Sequence, residues 1–278
     1  GGAGVAAPTV RAIEMIDICQ LLVTFNPNTP LETPVLRGVS LQIPAGQFMT
    51  VIGSNGAGKS TLLNALAGEI AVTDGTIAID GQDVTGWSVA RRAQWVARVF
   101  QDPLAGTCAE LTVEENLALA AARGQRRGLR PAIRSELRGE FRDQLARLGL
   151  NLEHRLPDRM NLLSGGQRQA VSLLMATLRP MKILLLDEHT AALDPRTAAF
   201  VLDLTRALVA ERRLTTLMVT HNLRQALDIG DRTVMLHQGR VVFDISGTER
   251  TQLDVPDLLR LFSESQGGAV TDDELLLG

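Results

Sequence analysis

The chain predicts an α/β fold in which a mostly parallel sheet carries an antiparallel β subdomain and an inserted helical subdomain. Three observations predict it. An apolar run, Phe48-Met49-Thr50-Val51-Ile52, meets a glycine-rich loop, and a helical stretch follows from Thr61 to a stop at Gly68. Two later runs, Ile183-Leu184-Leu185-Leu186 and Thr216-Leu217-Met218-Val219, are continuously apolar, as strands covered on both faces are. Each leads into helical spacing, at 196–213 and at 223–228, which is a βα rhythm. Between them and the first strand, residues 102–180 show helical spacing alone, at 112–122, 132–148 and 164–178.

Taken along the chain, residues 1–14 predict a flexible segment: Gly1-Gly2-Ala3-Gly4-Val5-Ala6-Ala7-Pro8 has neither the basic start nor the long apolar centre of a signal peptide. Period-two alternation at Leu36, Val39, Leu41 and Ile43, and again at 76–81, predicts half-exposed antiparallel strands. Thr233-Val234-Met235-Leu236 and Arg240-Val241-Val242-Phe243 flank His237-Gln238-Gly239 as a hairpin. A last helix is expected at 257–263, and 266–278 as a flexible tail. The expected division is one domain over 15–265, with 15–101 and 181–265 as the α/β core and 102–180 as the helical subdomain.

Composition excludes several classes. With 45% hydrophobic and 21% charged residues, the balance is that of an ordinary globular protein. A net charge of −3 gives no electrostatic footprint for nucleic acid. No apolar run approaches the ~18–20 residues that cross a bilayer. The only cysteines, Cys19 and Cys108, make neither a disulfide framework nor a zinc site; both are expected as small buried hydrophobes in a reducing cytosol. The basic run 123–130, with Arg134 and Arg138 beyond it, is expected as a solvated helical face, a lipid or acidic partner being the alternative.

Gly53-Ser54-Asn55-Gly56-Ala57-Gly58-Lys59-Ser60 fits G-x-x-x-x-G-K-[ST] in the strand–loop–helix setting that phosphate binding requires. Glycines let successive N–H groups curve around a polyphosphate, and the helix start, from Ser60 and Thr61, adds unpaired donors and the positive end of its dipole. Lys59 can reach the β- and γ-phosphates, and the Ser60 hydroxyl can ligate Mg²⁺. Asp187 and Glu188 close a buried strand: the first suits the Mg²⁺ shell, the second a general base that polarises water. In Leu163-Ser164-Gly165-Gly166-Gln167, a good N-cap precedes two glycines at a helix start, a second anion-binding device.

In this order the motifs resemble the ATP-binding subunit of an ABC transporter, from about residue 25 to residue 243. The resemblance implies an ABC ATPase fold on a P-loop NTPase core, with ATP and Mg²⁺ as ligands. Gln101 matches the Q-loop that reaches Mg²⁺ and the nucleophilic water; Asp194, in Ala192-Leu193-Asp194, matches the D-loop; His221 matches the switch histidine that bonds the γ-phosphate. Phe25 stands where the family stacks adenine on a tyrosine, with core packing as its other possible role. His189 replaces a proline common in the family, which would relax the turn toward the D-loop. His154 and His237 are expected at the surface.

The family also implies a head-to-tail homodimer in which the loop of one copy faces residues 163–167 of the other across ATP. It implies separate integral membrane permease subunits holding the cassette at the cytoplasmic face of the membrane. Val99-Phe100-Gln101-Asp102-Pro103-Leu104-Ala105-Gly106-Thr107 and Asp187-Glu188-His189-Thr190 resemble a bacterial importer group, some members of which are linked to amino acids. Import of a small organic solute, delivered by an extracellular or periplasmic binding protein, is the expected function. An export or lipid- and lipoprotein-translocating system, and a soluble ABC-type ATPase acting on ribosomes or DNA, are its rivals.

Overall fold

The computed structural model describes residues 14–125 and 135–265, so the expected flexible ends and most of the basic run lie outside the described residues. In chain order, β1 (Glu14–Phe25), β2 (Thr33–Pro44) and β3 (Phe48–Ile52) lead into α1 (Lys59–Ala67). Then come β4 (Asp74–Ile79), β5 (Gln82–Asp83), α2 (Val89–Arg92) and β6 (Val96–Val99). Three helices follow, α3 (Val113–Ala121), α4 (Ser135–Ala146) and α5 (Gly165–Thr177). The chain returns to the sheet with β7 (Ile183–Asp187), α6 (Pro195–Arg212), β8 (Thr215–Val219) and α7 (Leu223–Asp228). It ends in β9 (Arg232–His237), β10 (Arg240–Ser246), α8 (Gly247–Thr251) and α9 (Val255–Ser265).

One sheet is antiparallel, in the order β2-β1-β4-β5; the other runs β10-β9-β3-β8-β7-β6 and is parallel except for the β9–β10 hairpin. The parallel strands are strongly apolar because both faces are covered. Met49, Val51, Leu185 and Leu217 pack on one side with Leu62, Leu63 and Leu66 of α1 and with the antiparallel sheet. Leu184, Leu186 and Met218 pack on the other with Leu173 of α5 and Leu202 and Val209 of α6. The three-residue step from Leu36 to Val39 marks a β-bulge: Gly38, at φ 85°, is passed over where Leu21 pairs with Val39 and Leu22 with Arg37.

The helical part has a core of its own. Val113 and Leu117 of α3, Phe141 and Leu145 of α4, and Val171 and Leu174 of α5 are buried together there. Helix α5 thus faces both ways, toward the sheet with Leu173 and toward the helices with Val171 and Leu174, and so joins the two parts.

Several expectations are corrected. Both cysteines are exposed; Cys19 follows the buried Ile16 and Ile18 in strict alternation along β1 and so faces outward. His237 is half-buried rather than at the surface: its ring packs edge-on against Phe262 of α9, centroids 5.2 Å apart. Arg123 is not part of a solvated face, because its guanidinium donates to Ala176 O (3.1 Å) within α5 and to Arg179 O (3.3 Å) just beyond it.

Candidate functional site

Strand β3 delivers the chain into the loop at Gly53, where φ is 146° and a Cβ would stand 2.1 Å from Leu236 O of β9. Only glycine passes there. The loop closes at Gly58, which caps α1 without a side-chain hydrogen bond, and no acidic residue occupies the first turn. The first N–H groups of the helix therefore remain available to an anion from outside. Lys59 curls back into the loop, its Nζ donating to Gly53 O (2.7 Å) and Ser54 O (3.0 Å). Burial lowers its pKa, while Glu188 and Asp187 oppose that shift by favouring the charged form. Ser60 is exposed and Thr61 half-buried, while Asn55 and Gly56 form the exposed outer bend.

The carboxylates stand at the carboxyl end of a central strand. Parallel pairing sets Asp187 opposite Val219, so Glu188 falls beside the turn that carries His221. Glu188 N–H donates to Val219 O (3.0 Å), and Glu188 Oε2 lies 3.2 Å from His221 Nδ1. Its φ of 45° is left-handed, a conformation that costs a non-glycine residue roughly 1–3 kcal/mol and that clusters at functional sites. Asp187 Oδ2 accepts from Arg98 Nη2 at 2.6 Å. A cavity of about 330 Å³ opens beside Glu188 and His221, with Thr220 and Gln225 also on its border.

The turn after Glu188 is anchored, against the expectation for His189. That imidazole is buried, its Nε2 is 3.0 Å from Thr205 Oγ1 on α6, and burial lowers its pKa to about 4. Asp194 caps α6, accepting from Thr197 N–H at 3.1 Å, and its hydrogen bonds to Thr197 hold its pKa below the usual carboxylate value. Phe25 ends β1 with 40% of its surface exposed, so its ring is not committed to the core.

Gln101 is exposed just past β6, and the preceding Phe100 O accepts from Gln169 Nε2 of α5 at 3.2 Å. Farther along the same loop, the Asn116 side chain of α3 receives Cys108 N–H (2.8 Å) and donates to Cys108 O (3.0 Å). At the start of α5, Ser164 and Gln167 form a capping box, and Arg155 Nη1 reaches Gln167 Oε1 at 3.2 Å. Gly166 has a packing role that the motif alone did not reveal: a Cβ there would meet Thr197 Cγ2 at 2.1 Å. The structure thus gathers Lys59 and its loop, Asp187, Glu188 and His221 around one place, whereas the neighbours of 164–167 include Arg155, Leu193 and Thr197 of α6.

Arg98, Asn116 and Gln169 were missed by sequence reasoning. Only Arg98 had a local signal, a charge between the apolar neighbours Ala97 and Val99. The Ser60 hydroxyl, the Gln101 amide oxygen and the Asp187 carboxylate are all hard oxygens, the donor type that suits Mg²⁺. Among the described residues no group of three or more His, Cys, Asp or Glu converges on a metal position. An ion held between phosphates and water needs only one or two protein carboxylates.

The family model of the ABC transporter matches residues 36–191. A tyrosine transport ATP-binding protein of Clostridioides difficile is 45% identical over 237 residues, 85% of this chain and 92% of its own length. An aliphatic sulfonates import ATP-binding protein of Agrobacterium fabrum is 36% identical over 77% of this chain and 74% of its own. A solved ATP-binding cassette, dimeric and bound to ADP and Pi in a post-hydrolysis state, superposes with a TM-score of 0.71 at 28% identity, over 84% of this chain and 98% of that one. A glycine-rich loop at a helix start, two carboxylates and a capped glycine pair thus sit on a fold shared with proteins that carry ATP-binding names, and this chain belongs to the ABC transporter family as an ATPase subunit.

Proposed function

We infer that this ATPase drives the import of a small organic solute, an amino acid being the class favoured, through separate membrane permease subunits. The observation that carries the solute class is the 45% identity to a protein named for tyrosine transport. Among the described residues no helix is long and apolar enough to cross a membrane. In this reading the permease supplies the spans and holds the cassette at the cytoplasmic face.

The N–H groups of 53–61 and the Lys59 ammonium cradle the phosphates of ATP, and Phe25 stacks on the adenine. Ser60, Gln101 and Asp187 would hold Mg²⁺, which would supply positive charge that neutralises the phosphates of the nucleotide. Glu188 accepts the proton of the attacking water, and His221, already beside it, bonds the γ-phosphate. Ser164, Gly165, Gly166 and Gln167 of a second copy complete the site, with Asp194 at the junction between copies. Neither anion-binding surface surrounds the γ-phosphate alone, so ATP favours closure of the homodimer and hydrolysis releases it. The permease contacts 101–107 and the helical part, and a solute-binding protein outside the membrane supplies the cargo.

The test is transport by the cassette copurified with its membrane subunits and reconstituted into vesicles with ATP at the cassette face. Radiolabelled tyrosine, tried first among the amino acids, should move toward the cassette side, with Glu188→Gln as the blank. ATP-dependent movement only away from that side would contradict import while leaving the ATPase chemistry intact.

A further inference from the structure

Arg98 lies on β6, opposite Leu185 of β7, and strand alternation puts its side chain on the same sheet face as Asp187 and Phe100. Its guanidinium is held from three directions. Nη1 donates to Asn64 Oδ1 of α1 (2.6 Å) and to Glu69 Oε2 just past that helix (2.5 Å); Nη2 donates to Asp187 Oδ2 (2.6 Å). The group also lies over the Phe100 ring, 4.6 Å from its centroid, and only 10% of the side chain is exposed. It is therefore a fixed cation rather than a flexible surface charge.

This arrangement has two consequences for Asp187. One carboxylate oxygen is taken, and the other has no hydrogen bond among the described residues, so the carboxylate presents a single oxygen in a set orientation. The charge also matters. A unit positive charge a few ångströms from a divalent cation opposes its binding by about tenfold or more, even in a water-like dielectric. Without Arg98, Glu69 and Asp187 would lose the counter-charge they share, and Lys59 would be the cation left to act on Asp187 and Glu188.

We propose that Arg98 is a positioning residue for the metal step: it orients Asp187 and neutralises it, so that a divalent cation is held only together with nucleotide phosphates. The inference rests on the assignment of Asp187 to the metal shell made above. It also ties that carboxylate to the strand that leads directly into Gln101, three residues on.

Mn²⁺ serves as the probe, its binding to the full chain measured by electron paramagnetic resonance without nucleotide. Arg98→Met should bind Mn²⁺ at least ~10-fold more tightly than the parent, the loss of one opposing charge being worth that much. Arg98→Gln, which keeps a hydrogen-bond donor, should show the same gain and serves if the Met variant does not fold. Arg98→Lys, which keeps the charge, should stay within about twofold of the parent, and adding Asp187→Asn to Arg98→Met should erase the gain. No gain in either neutral variant, a gain in the Lys variant, or a gain that survives Asp187→Asn overturns the proposal. Parent protein that binds ADP no better with Mn²⁺ than without it would instead contradict the metal assignment itself, so the two failures are distinguishable.

Discussion

His221 Nδ1 and Glu188 Oε2 stand 3.2 Å apart although 33 positions separate them in the chain. The parallel register of β7 and β8 brings them together, and the left-handed turn at Glu188 aims the carboxylate across the gap. Groups arranged this way act as a unit, so their losses should not add. His221→Ala should retain ATP binding and lower kcat by about two orders of magnitude, the scale of a general-base interaction. The double variant His221→Ala/Glu188→Gln should be no slower than Glu188→Gln alone; fully multiplicative losses would show that the pair works independently.

Two further substitutions divide the labour between copies. Lys59→Ala should damage the site in its own chain, and Ser164→Arg the site completed by a partner, because a bulky cation would block the helix N-terminus. Each variant alone should be inactive, and mixing them should restore turnover through heterodimers with one intact site. Loss of ADP binding by isolated Ser164→Arg chains would contradict the role in trans.

The buried His189 makes stability depend on pH with a definite sign. Its folded pKa, about 4, lies below the ordinary 6.5, so protonation favours the unfolded chain. Well above pH 6.5 both states are neutral and the stability is complete. As the pH falls from 6.5 toward 4, the unfolded chain takes up the proton first, and up to ~3 kcal/mol is lost. Thermal melts at pH 7.5 and pH 5 should show a larger drop for the parent than for His189→Asn. An equal drop in both would assign the acid sensitivity to other groups.

Gly166 and Thr197 give a packing test of the junction between α5 and α6. Gly166→Ala would put its Cβ 2.1 Å from Thr197 Cγ2, and overpacking of this kind costs about 1–3 kcal/mol. Thr197→Ser removes that methyl group and keeps the hydroxyl, so the double variant should recover most of the lost melting temperature. Without recovery, the contact with Thr197 is not the reason for glycine at that position.

How legible these features were depended on how locally each is encoded. The central strands β7 and β8 were legible because cover on both faces writes an unbroken apolar run. Helix α3 carries its own start signal, the Thr112–Glu115 capping box. Strand β1 was hidden, since the irregularity between Ile18 and Leu21 shifts its buried positions out of period two, and the four-residue β6 is interrupted by Arg98. The loop and the carboxylate pair are contiguous motifs, whereas Arg98 meets Asp187 across 89 positions and Gln169 meets Phe100 across 69. Such pairings depend on sheet order and helix docking, which no local pattern records. The same limit explains His237, whose partner Phe262 belongs to a helix after the hairpin.

At the centre of the proposed mechanism, Glu188 activates the water that attacks ATP bound at 53–61. The most direct test is single-turnover hydrolysis of radiolabelled ATP by Glu188→Gln, with binding measured in parallel. ATP affinity should stay close to the parent, cleavage should slow by roughly two orders of magnitude or more, and an ATP-bound dimer should accumulate. Cleavage at the parental rate, with binding intact, would contradict that role for Glu188.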